Sequence, residues 1–488
     1  MLLLGLDVGT AGATAVAIDE TGTIVASRFV GYAQHAPRSG WVEQDPNDWW
    51  HAATQTLAGV AADVRGEISG LGLTGQPGSV FVDAAGAPVR AAILRGDRRA
   101  VLQAQWIGDA IGTPRLIEIS GSAALADHQA SALLWLRDVE PVQFRHTRRM
   151  LLPKDYVRLR LTGEAATDTT DAAGTGLLNV RVRGWSDEIL GVLEISLENL
   201  PHVHESLEIA GGLRPSVAAE LGLPPGLPVA AGASDTAATA FNTGIVASGL
   251  ILSSIDRRGG LGAQLTDALI DPGGLLQTAC DPAPHRYQLA GMIPSAGGSL
   301  RWWRDVVGWR LGYEELCAQA ESVAVGAGGL FFKPHADGEG SSRHDGVVPG
   351  AFVGLRAHHV QADLTRAVME GVVFSLRERL DVMRTLGIDP RQVRATGGGA
   401  RSRLWRQMQA DIFAVPVAAM ASAPSPAVAA ALLAGVAMGA FSDVAAASAT
   451  AVRLEGVVEP DPERVARYDG LFRTFTALES AIRQPLAP

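Results

Sequence analysis

Cysteine is nearly absent from this sequence. Only Cys280 and Cys317 occur among the 488 residues, and they do not show the spacing of a metal-binding motif. A disulfide framework and a cysteine-based metal site are therefore excluded as the basis of the fold. Two unpaired cysteines suit a reducing compartment, so we expect the protein in the cytoplasm.

Basic clusters and long apolar runs are also lacking. Acidic residues outnumber lysine and arginine by 51 to 41, which gives a formal net charge of −10. This balance argues against a nucleic-acid partner and against an anionic membrane surface. No apolar run reaches the roughly 18 residues of a membrane span. The nearest, Pro426–Phe441, is short and contains Gly435 and Gly439, so it predicts a buried helix.

The chain is too long for one hydrophobic core, and its two halves follow a similar pattern. Each half begins with short apolar strands joined by glycine-bearing turns, and continues with strands that alternate with helices. The pattern predicts an α/β protein of two domains with a cleft between them. We place the first domain at residues 1–246, the second at 247–457 and a terminal helix at 458–488.

The first strand ends in a carboxylate and a turn of small residues, within GLDVGTAGATAVAID. Asp7 follows the apolar run Leu2–Leu6, and Val8–Gly12 forms the turn. One interpretation is a hairpin with a polar tip. The other is an anion-binding hollow made by backbone N–H groups, beside which Asp7 holds a hydrated Mg²⁺. The stretch alone leaves both interpretations open.

A second carboxylate stands at a comparable point. Asp235, in AAGASDTAATA, follows an apolar strand and a turn, at or near the start of a helix. It is either a helix N-cap or a general base at the carboxyl end of a strand, where α/β proteins usually bind their ligands. A hydroxyl that attacks phosphorus needs one positioned carboxylate to accept its proton.

Three further loops carry glycines or polar residues. Thr396–Ser402 reads TGGGARS ahead of an amphipathic helix, which suits close approach of a flat or anionic ligand but also an ordinary tight connection. Gln76, Asp97 and Arg99 lie near strand ends and suit either hydrogen bonds to a polyhydroxylated ligand or plain solvation. His128 has no second histidine at ligand spacing, so we do not read it as a metal ligand.

These motifs and several longer segments together resemble the FGGY-type carbohydrate kinases, and among them the xylulose kinases. The similarity runs from end to end of the chain, and its long, specific segments include GWVEQDPNDWW, LLPKDYVRLRLTGE and TDTTDAAGTGLLNV. The resemblance implies two actin-like, ribonuclease-H-like α/β domains around a central cleft, with sugar bound mainly by the first and ATP by the second. It implies an ATP-dependent kinase of a small sugar or polyol, with ATP and Mg²⁺ as cofactors.

The resemblance also implies roles for individual residues. Asp235 takes the position of the catalytic base, and Asp7 that of the acidic residue near Mg²⁺ and the phosphates. The residues on the nucleotide side are Gly9, Thr10, Ala11, Gly397, Gly398, Gly399 and Arg403. The residues on the sugar side are Gln76, Pro77, Asp97 and Arg99. A small sugar is the expected partner, and a homodimer is left open.

The chain departs from the family pattern at its phosphate turns. The second turn reads LSSIDRRGG, and the residues that replace the family's small ones are Ile255, Asp256, Arg257 and Arg258. An aspartate there repels a polyphosphate, whereas an arginine pairs with it. In the first turn Ala11 and Thr14 replace a serine and a basic residue, and Gly338–Ser342 reads GEGSS in place of GERTP. These departures favour an alternative hypothesis, a weak or inactive relative that binds a sugar or nucleotide.

The sugar side departs from the xylulose-kinase pattern as well. The segment GQPG is one residue shorter than its counterpart and lacks that segment's histidine. In RGDRR, Arg95 stands in place of a tryptophan, which removes a stacking surface and adds a positive charge. The identity of the sugar therefore does not follow from the resemblance.

Overall fold

The computed structural model describes residues 1–306, 311–334 and 350–486. The segment Gly338–Ser342 lies outside the described residues. The elements of the N-terminal half are β1 (Leu2–Val8), β2 (Gly12–Ile18), β3 (Ile24–Gly31), β4 (Glu43–Gln44), α1 (Pro46–Asp63), β5 (Ile68–Gly75), β6 (Gly78–Val82), β7 (Ala92–Leu94), α2 (Val101–Ile111), α3 (Thr113–Ser120), α4 (Gln129–Val139), α5 (Pro141–His146), β8 (Arg149–Leu151), α6 (Pro153–Thr162), β9 (Ala166–Asp168), α7 (Thr169–Ala173), β10 (Leu178–Asn179), β11 (Gly184–Trp185), α8 (Asp187–Leu193), β12 (His202–His204), β13 (Ile209–Gly212), α9 (Pro215–Leu221), β14 (Pro228–Ala230), β15 (Ala233–Ser234) and α10 (Asp235–Asn242).

The elements of the C-terminal half are β16 (Leu250–Ile255), β17 (Gly259–Leu265), β18 (Gln277–Cys280), β19 (Tyr287–Ile293), α11 (Gly297–Val306), α12 (Tyr313–Glu321), β20 (Phe331–Lys333), β21 (Ala351–Val353), α13 (Gln361–Thr385), β22 (Gln392–Thr396), α14 (Arg403–Phe413), β23 (Val417–Met420), α15 (Pro426–Ala437), α16 (Val444–Ala451), β24 (Leu454–Val458) and α17 (Pro462–Leu486). Short 3₁₀ turns occur at Leu197–Asn199, Ala327–Gly329 and Gly398–Arg401.

The first large sheet has the strand order β13-β14-β5-β1-β2-β3, and β15 also pairs with β5. Strands β1, β2 and β3 form an antiparallel meander. Strands β1, β14 and β15 all run parallel to β5. Because parallel strands end at the same edge of a sheet, the residues that follow β1, β5 and β15 are brought together.

The second large sheet repeats this arrangement. Its order is β18-β19-β17-β16-β22-β23-β24, with an antiparallel meander of β16, β17 and β19. Strands β22 and β23 continue from β16 in parallel, as β5 and β14 continue from β1 in the first sheet. The predicted fold class, an α/β protein of two similarly built units, is confirmed.

Helix α15 connects the two halves. Residues Ala427–Gly435 are buried, which confirms the buried helix predicted for this alanine-rich segment. The helix belongs to the second half of the chain, yet it packs on β1 and β5 of the first sheet. A Cβ at Gly5 would lie 1.9 Å from the carbonyl oxygen of Ala427, and one at Gly72 would lie 1.9 Å from that of Ala430. Glycine in these strands therefore permits the close approach of the helix.

Helix α1 begins as the sequence predicts. The Asp45 carboxylate accepts a hydrogen bond from the backbone N–H of Asn47 at 2.9 Å, and Pro46 occupies the first helical position. Trp49, Ala53 and Leu57 lie on the buried face of the helix. No helix in the described ranges combines the length and apolar character needed to cross a membrane.

Candidate active site

Asp7 and Asp235 lie at the same edge of the first sheet. Asp7, near the end of β1, pairs in register with Thr74 of β5, and Ala233 of β15 pairs with Thr74 from the other side. Asp235 follows β15 directly as the first residue of α10. With strands about 4.8 Å apart, the two backbones are separated by roughly 10 Å across β5. The structure thus brings together two carboxylates that are 228 residues apart in the sequence.

The N-cap of α10 is Ser234, not Asp235. The Ser234 hydroxyl accepts a hydrogen bond from the backbone N–H of Ala237 at 3.3 Å. The Asp235 carboxylate accepts a hydrogen bond from the hydroxyl of the adjacent Thr236 at 3.1 Å. Its side chain is 33% exposed, so it is accessible to a ligand. Of the two interpretations of Asp235, the helix-cap role belongs to its neighbour.

The Asp7 carboxylate has an unpartnered oxygen. Its Oδ1 is buried and, among the described residues, has no hydrogen-bond partner. Burial, and in second place the negative charge of Asp235, raises the pKa of Asp7 to about 7. A buried anionic oxygen without a donor is costly, and a bound cation relieves that cost.

The turn after Asp7 is a tight connection between β1 and β2. The Gly9 N–H donates to the Gly12 carbonyl oxygen at 3.1 Å. Tyr32 donates its hydroxyl to the Gly9 carbonyl oxygen at 2.5 Å, and the Gln44 amide donates to that of Thr10 at 2.9 Å. Thr10 and Ala11 are exposed at the tip. The stretch is therefore a hairpin beside Asp7, and hydrogen bonds to its backbone fix its tip of small residues.

The polar groups predicted for the sugar side are largely engaged with the protein. The Gln76 amide donates to Gln44 Oε1 at 2.7 Å, and Pro77 is half-buried beside it. Asp97 and Arg99 are each 1% exposed and form an ion pair at 2.7 Å. The Asp97 carboxylate also accepts from the Val42 N–H at 2.6 Å. Asp97 and Arg99 thus hold the shape of the loop through contacts within the protein.

Arg95 is the charged residue of that loop that lies beside Asp235. Its Nη1 is 4.0 Å from Asp235 Oδ2, and its side chain is 47% exposed. Arg258, in the turn between β16 and β17, approaches the same loop from the second sheet. Its Nη2 lies 3.4 Å from the point where a Cβ on Gly96 would stand. This contact places the second unit's turn against the first unit's site.

The glycine loop of the second unit faces an acidic side chain. Asp256 Oδ1 accepts a hydrogen bond from the Gly398 N–H at 2.8 Å. Gly397 has φ of +80°, and a Cβ there would lie 2.5 Å from Asp256 Oδ2. Gly399 packs against the buried Ile255. The loop Gly397–Gly399 therefore contacts the turn Ile255–Arg258. That turn also contacts the first unit through Arg258.

Arg403, predicted on the nucleotide side, lies in a different environment. It begins α14 and lines a cavity of about 380 Å³, whose other polar lining residues are Glu321, Arg366, Gln407 and Arg464. Among the described residues, no hydrogen bond joins the Arg403 guanidinium to the glycine loop.

Sequence reasoning missed a buried ionic cluster beneath the site. Lys154 contacts the carboxylates of Asp155, Asp168 and Asp171 at 2.6, 2.7 and 2.8 Å, and its side chain is fully buried. The Thr170 hydroxyl donates to Asp168 and accepts from the Ser234 N–H at 2.8 Å. The cluster therefore supports the residue that caps α10 next to Asp235. The charged residues within the apolar segment LLPKDYVRLRL were the available signal.

Two similarly built α/β units, with two carboxylates at one sheet edge and a glycine loop beside the turn that contacts this unit, form an arrangement typical of phosphotransferases that bind a nucleotide. Comparison with known families agrees. The N-terminal domain model of the FGGY family of carbohydrate kinases matches residues 2–242, and the C-terminal domain model matches residues 263–438. The chain belongs to the FGGY family of carbohydrate kinases. Membership implies the use of ATP and a sugar substrate, and the expected enzyme class, a carbohydrate kinase, is confirmed.

Individual relatives cover almost the whole chain. A xylulose kinase of Klebsiella pneumoniae is 34% identical over 485 residues, which is 99% of each chain. The crystal structure of a xylulose kinase from Rhodospirillum rubrum matches with a TM-score of 0.93 at 28% identity, covering 99% of both chains. That of a gluconate kinase from Lactobacillus acidophilus has the same TM-score at 25% identity, covering 99% of this chain and 98% of the other. The actin-like two-domain fold is thereby confirmed.

Proposed function

We propose that this chain transfers the γ-phosphoryl group of ATP to a primary hydroxyl of a small open-chain sugar or polyol of the xylulose type. The names of full-length relatives, xylulose kinases in two of the three comparisons above, support a ketopentose as the first candidate. The first unit, residues 1–246, binds the sugar and residues 247–457 supply most of the nucleotide site. Two free cysteines, Cys280 and Cys317, are consistent with a cytoplasmic enzyme.

The position of Asp235 is the observation that carries the proposal. The carboxylate lies at the carboxyl edge of the sheet and is accessible. It does not cap the helix, because the Ser234 hydroxyl is the N-cap group. A carboxylate in this position can accept a proton from a bound hydroxyl. The hydroxyl oxygen then forms a bond to the γ-phosphorus as the bond from that phosphorus to the bridging oxygen of ADP breaks, and the proton goes to Asp235.

Asp7 is the residue that would hold Mg²⁺. Its buried Oδ1 lacks a donor, and an oxygen ligand of this kind is what Mg²⁺ prefers. The described residues contain no cluster of three potential metal ligands. That finding is compatible with Mg²⁺, which usually takes one or two carboxylates together with substrate phosphates and water. When bound, Mg²⁺ neutralises phosphate charge; Asp7 itself provides the anionic anchor.

The two glycine turns supply the remaining polar groups for the nucleotide. Gly9–Ala11 forms a turn beside Asp7 with Thr10 and Ala11 exposed, and Gly397–Gly399 forms a loop at the start of the segment that leads into α14. Backbone N–H groups of such turns bind phosphate oxygens without any side chain. The loop that contains Gln76 and Pro77 lies next to Asp7, because the Gln76 N–H donates to the Val8 carbonyl oxygen at 2.9 Å. This position next to Asp7 supports a role of the loop in lining the sugar pocket.

A substrate screen tests the proposal. Purified protein is incubated with MgATP and one member each of the pentuloses, hexuloses, polyols and sugar acids, and ADP release is measured. We expect sugar-dependent ADP release that exceeds the sugar-free rate and is strongest for a small open-chain sugar. ADP release that no member of the panel accelerates would contradict the proposed function.

A further inference from the structure

The transferred phosphoryl group is negatively charged, and two side chains of the first unit at the proposed transfer site are carboxylates. Asp7 and Asp235 stand at the edge where transfer is proposed. The turn that follows Asp7, Gly9–Thr14, contains neither lysine nor arginine. Lys154, beneath the sheet, is fully buried and held by three aspartates. In addition to Mg²⁺ held at Asp7, a cationic side chain from elsewhere in the chain would balance the charge that develops on the phosphoryl group.

Arg95 is placed to provide that charge. A hydroxyl bound to Asp235 has its oxygen about 2.6–3.2 Å from the carboxylate, and the phosphorus it attacks lies immediately beyond. The phosphoryl oxygens then fall roughly 4–5 Å from the carboxylate. Arg95 Nη1 lies 4.0 Å from Asp235 Oδ2, and the side chain is 47% exposed, so a ligand bound beside Asp235 can reach it. A guanidinium offers five N–H donors, and the contact with Asp235 involves one end of the group.

Arg258 brings a second guanidinium to the same loop from the opposite unit. Its Nη2 approaches Gly96, the residue next to Arg95, and an additional Cβ there would be only 3.4 Å away. The Asp127 carboxylate accepts from the Gly96 N–H at 2.8 Å, which fixes the backbone of this loop. Arg95 therefore belongs to this loop of the first unit, and Arg258 approaches the same loop from the second unit.

We propose that Arg95 is a catalytic residue that contacts the phosphoryl oxygens during transfer, with Arg258 as its partner from the second unit. This inference rests on the proposed function and assigns two further residues to that reaction. Arg95 donates hydrogen bonds to the equatorial oxygens, whose charge develops as the bond to ADP breaks and the bond to the sugar oxygen forms. Neither arginine gains or loses a proton in the step.

The test compares Arg95→Gln, Arg95→Lys and Arg258→Gln with a matched control, Arg98→Gln. Arg98 lies three residues along the same loop, is exposed, and its backbone N–H bonds to the Gly40 carbonyl oxygen at 2.8 Å. Each protein is assayed for kcat and for KM of sugar and ATP with the best substrate of the wild type. Binding of MgADP is measured with and without aluminium fluoride, which imitates the phosphoryl group in transfer.

We expect Arg95→Gln to lower kcat by about 10²–10³-fold, with sugar KM within about threefold of wild type. Arg95→Lys recovers part of the loss, Arg258→Gln loses less, and Arg98→Gln behaves as wild type. Arg95→Gln also binds MgADP normally but loses the gain in affinity that aluminium fluoride gives the wild type. This second readout does not depend on turnover.

Other outcomes overturn the inference. If Arg95→Gln keeps kcat within about threefold of wild type, Arg95 does not contact the transferred group. If the variant raises sugar KM alone, or loses only a preference for acidic sugars, Arg95 is a sugar-binding residue instead. If the wild-type protein phosphorylates no sugar, the proposed function itself is wrong. The wild-type assay shows this before any variant is compared.

Discussion

The Asp256 carboxylate accepts a hydrogen bond from the backbone N–H of Gly398 at 2.8 Å. Gly397 is required for this approach, because a Cβ there would lie 2.5 Å from the other carboxylate oxygen. Backbone N–H groups of a glycine loop are the groups that bind phosphates. If Gly398 binds the nucleotide as proposed, Asp256 competes with the nucleotide for this donor.

Removing this carboxylate is expected to tighten ATP binding. Asp256→Ala frees the Gly398 N–H and removes a negative charge, so the Kd for MgATP should fall roughly tenfold, which is 1.4 kcal/mol. Isothermal titration calorimetry measures the change. Asp267→Ala, an exposed aspartate just beyond β17, is the control and should leave the Kd unaltered. A higher Kd for MgATP in Asp256→Ala would contradict this expectation and show that the carboxylate supports nucleotide binding.

Replacing all of Ile255–Arg258 with the small residues of the family's turn would be a poorer test than the single change at Asp256. Ile255 is 1% exposed, and its side chain packs against Gly399. Replacing it with glycine would remove core contacts and confuse loss of stability with loss of binding. The single change at Asp256 keeps the turn, because the backbone of Asp256 bonds to Arg258 and Gly297.

Asp7 is expected to make stability depend on pH. Its pKa is about 7 in the fold, whereas an unfolded aspartate has a pKa of about 3.9. Between these values the folded state holds the additional proton, so the free energy of unfolding falls as pH rises through that window. Asp7→Asn removes the effect. Its melting temperature relative to wild type should therefore be several degrees higher at pH 8 than at pH 5.

The control for this comparison is Asp109→Asn, which changes an exposed carboxylate on α2. Its melting temperature relative to wild type should be the same at both pH values. A pH-independent difference for Asp7→Asn would contradict the assignment of a raised pKa to Asp7. The same experiment with added Mg²⁺ should raise the melting temperature of the wild type at pH 8 and leave that of Asp7→Asn unchanged.

The packing of α15 on the first sheet is tested by a pair of glycine substitutions. Gly72→Ala places a Cβ 1.9 Å from the Ala430 carbonyl oxygen, so helix or strand must move. We expect a loss of about 1–3 kcal/mol of stability. Gly191→Ala, in α8, meets no atom within 4 Å and should stabilise by up to about 1 kcal/mol. Denaturant unfolding distinguishes them, and equal effects would contradict the packing.

The sequence predicts those features that depend on local pattern. Asp7 lies near the end of one apolar strand and Asp235 follows another. Because parallel strands end at one edge, their proximity follows from the chain order once the fold class is known. The N-cap Asp45 and the buried helix α15 are likewise readable from residue types. In each case neighbouring residues contain the cause of the structure.

Contacts between distant segments could not be predicted in this way. The sequence predicts Asp97 and Arg99 on the sugar side, but it gives no sign that Asp97 accepts a hydrogen bond from Val42, more than fifty residues earlier. The hydrogen bond from Gly398 to Asp256 spans 142 residues, and no local pattern encodes it. The position of α15 on the opposite unit's sheet is also set only by tertiary packing.

The central claim is that Asp235 accepts the proton of a sugar hydroxyl during phosphoryl transfer from ATP. The most direct measurement is the rate of sugar-dependent ADP release by Asp235→Asn, with sugar affinity and melting temperature measured on the same protein. We predict a kcat lower by about 10²–10⁴-fold, with sugar affinity and melting temperature near those of wild type. A variant whose kcat stays within about threefold of wild type would contradict the claim.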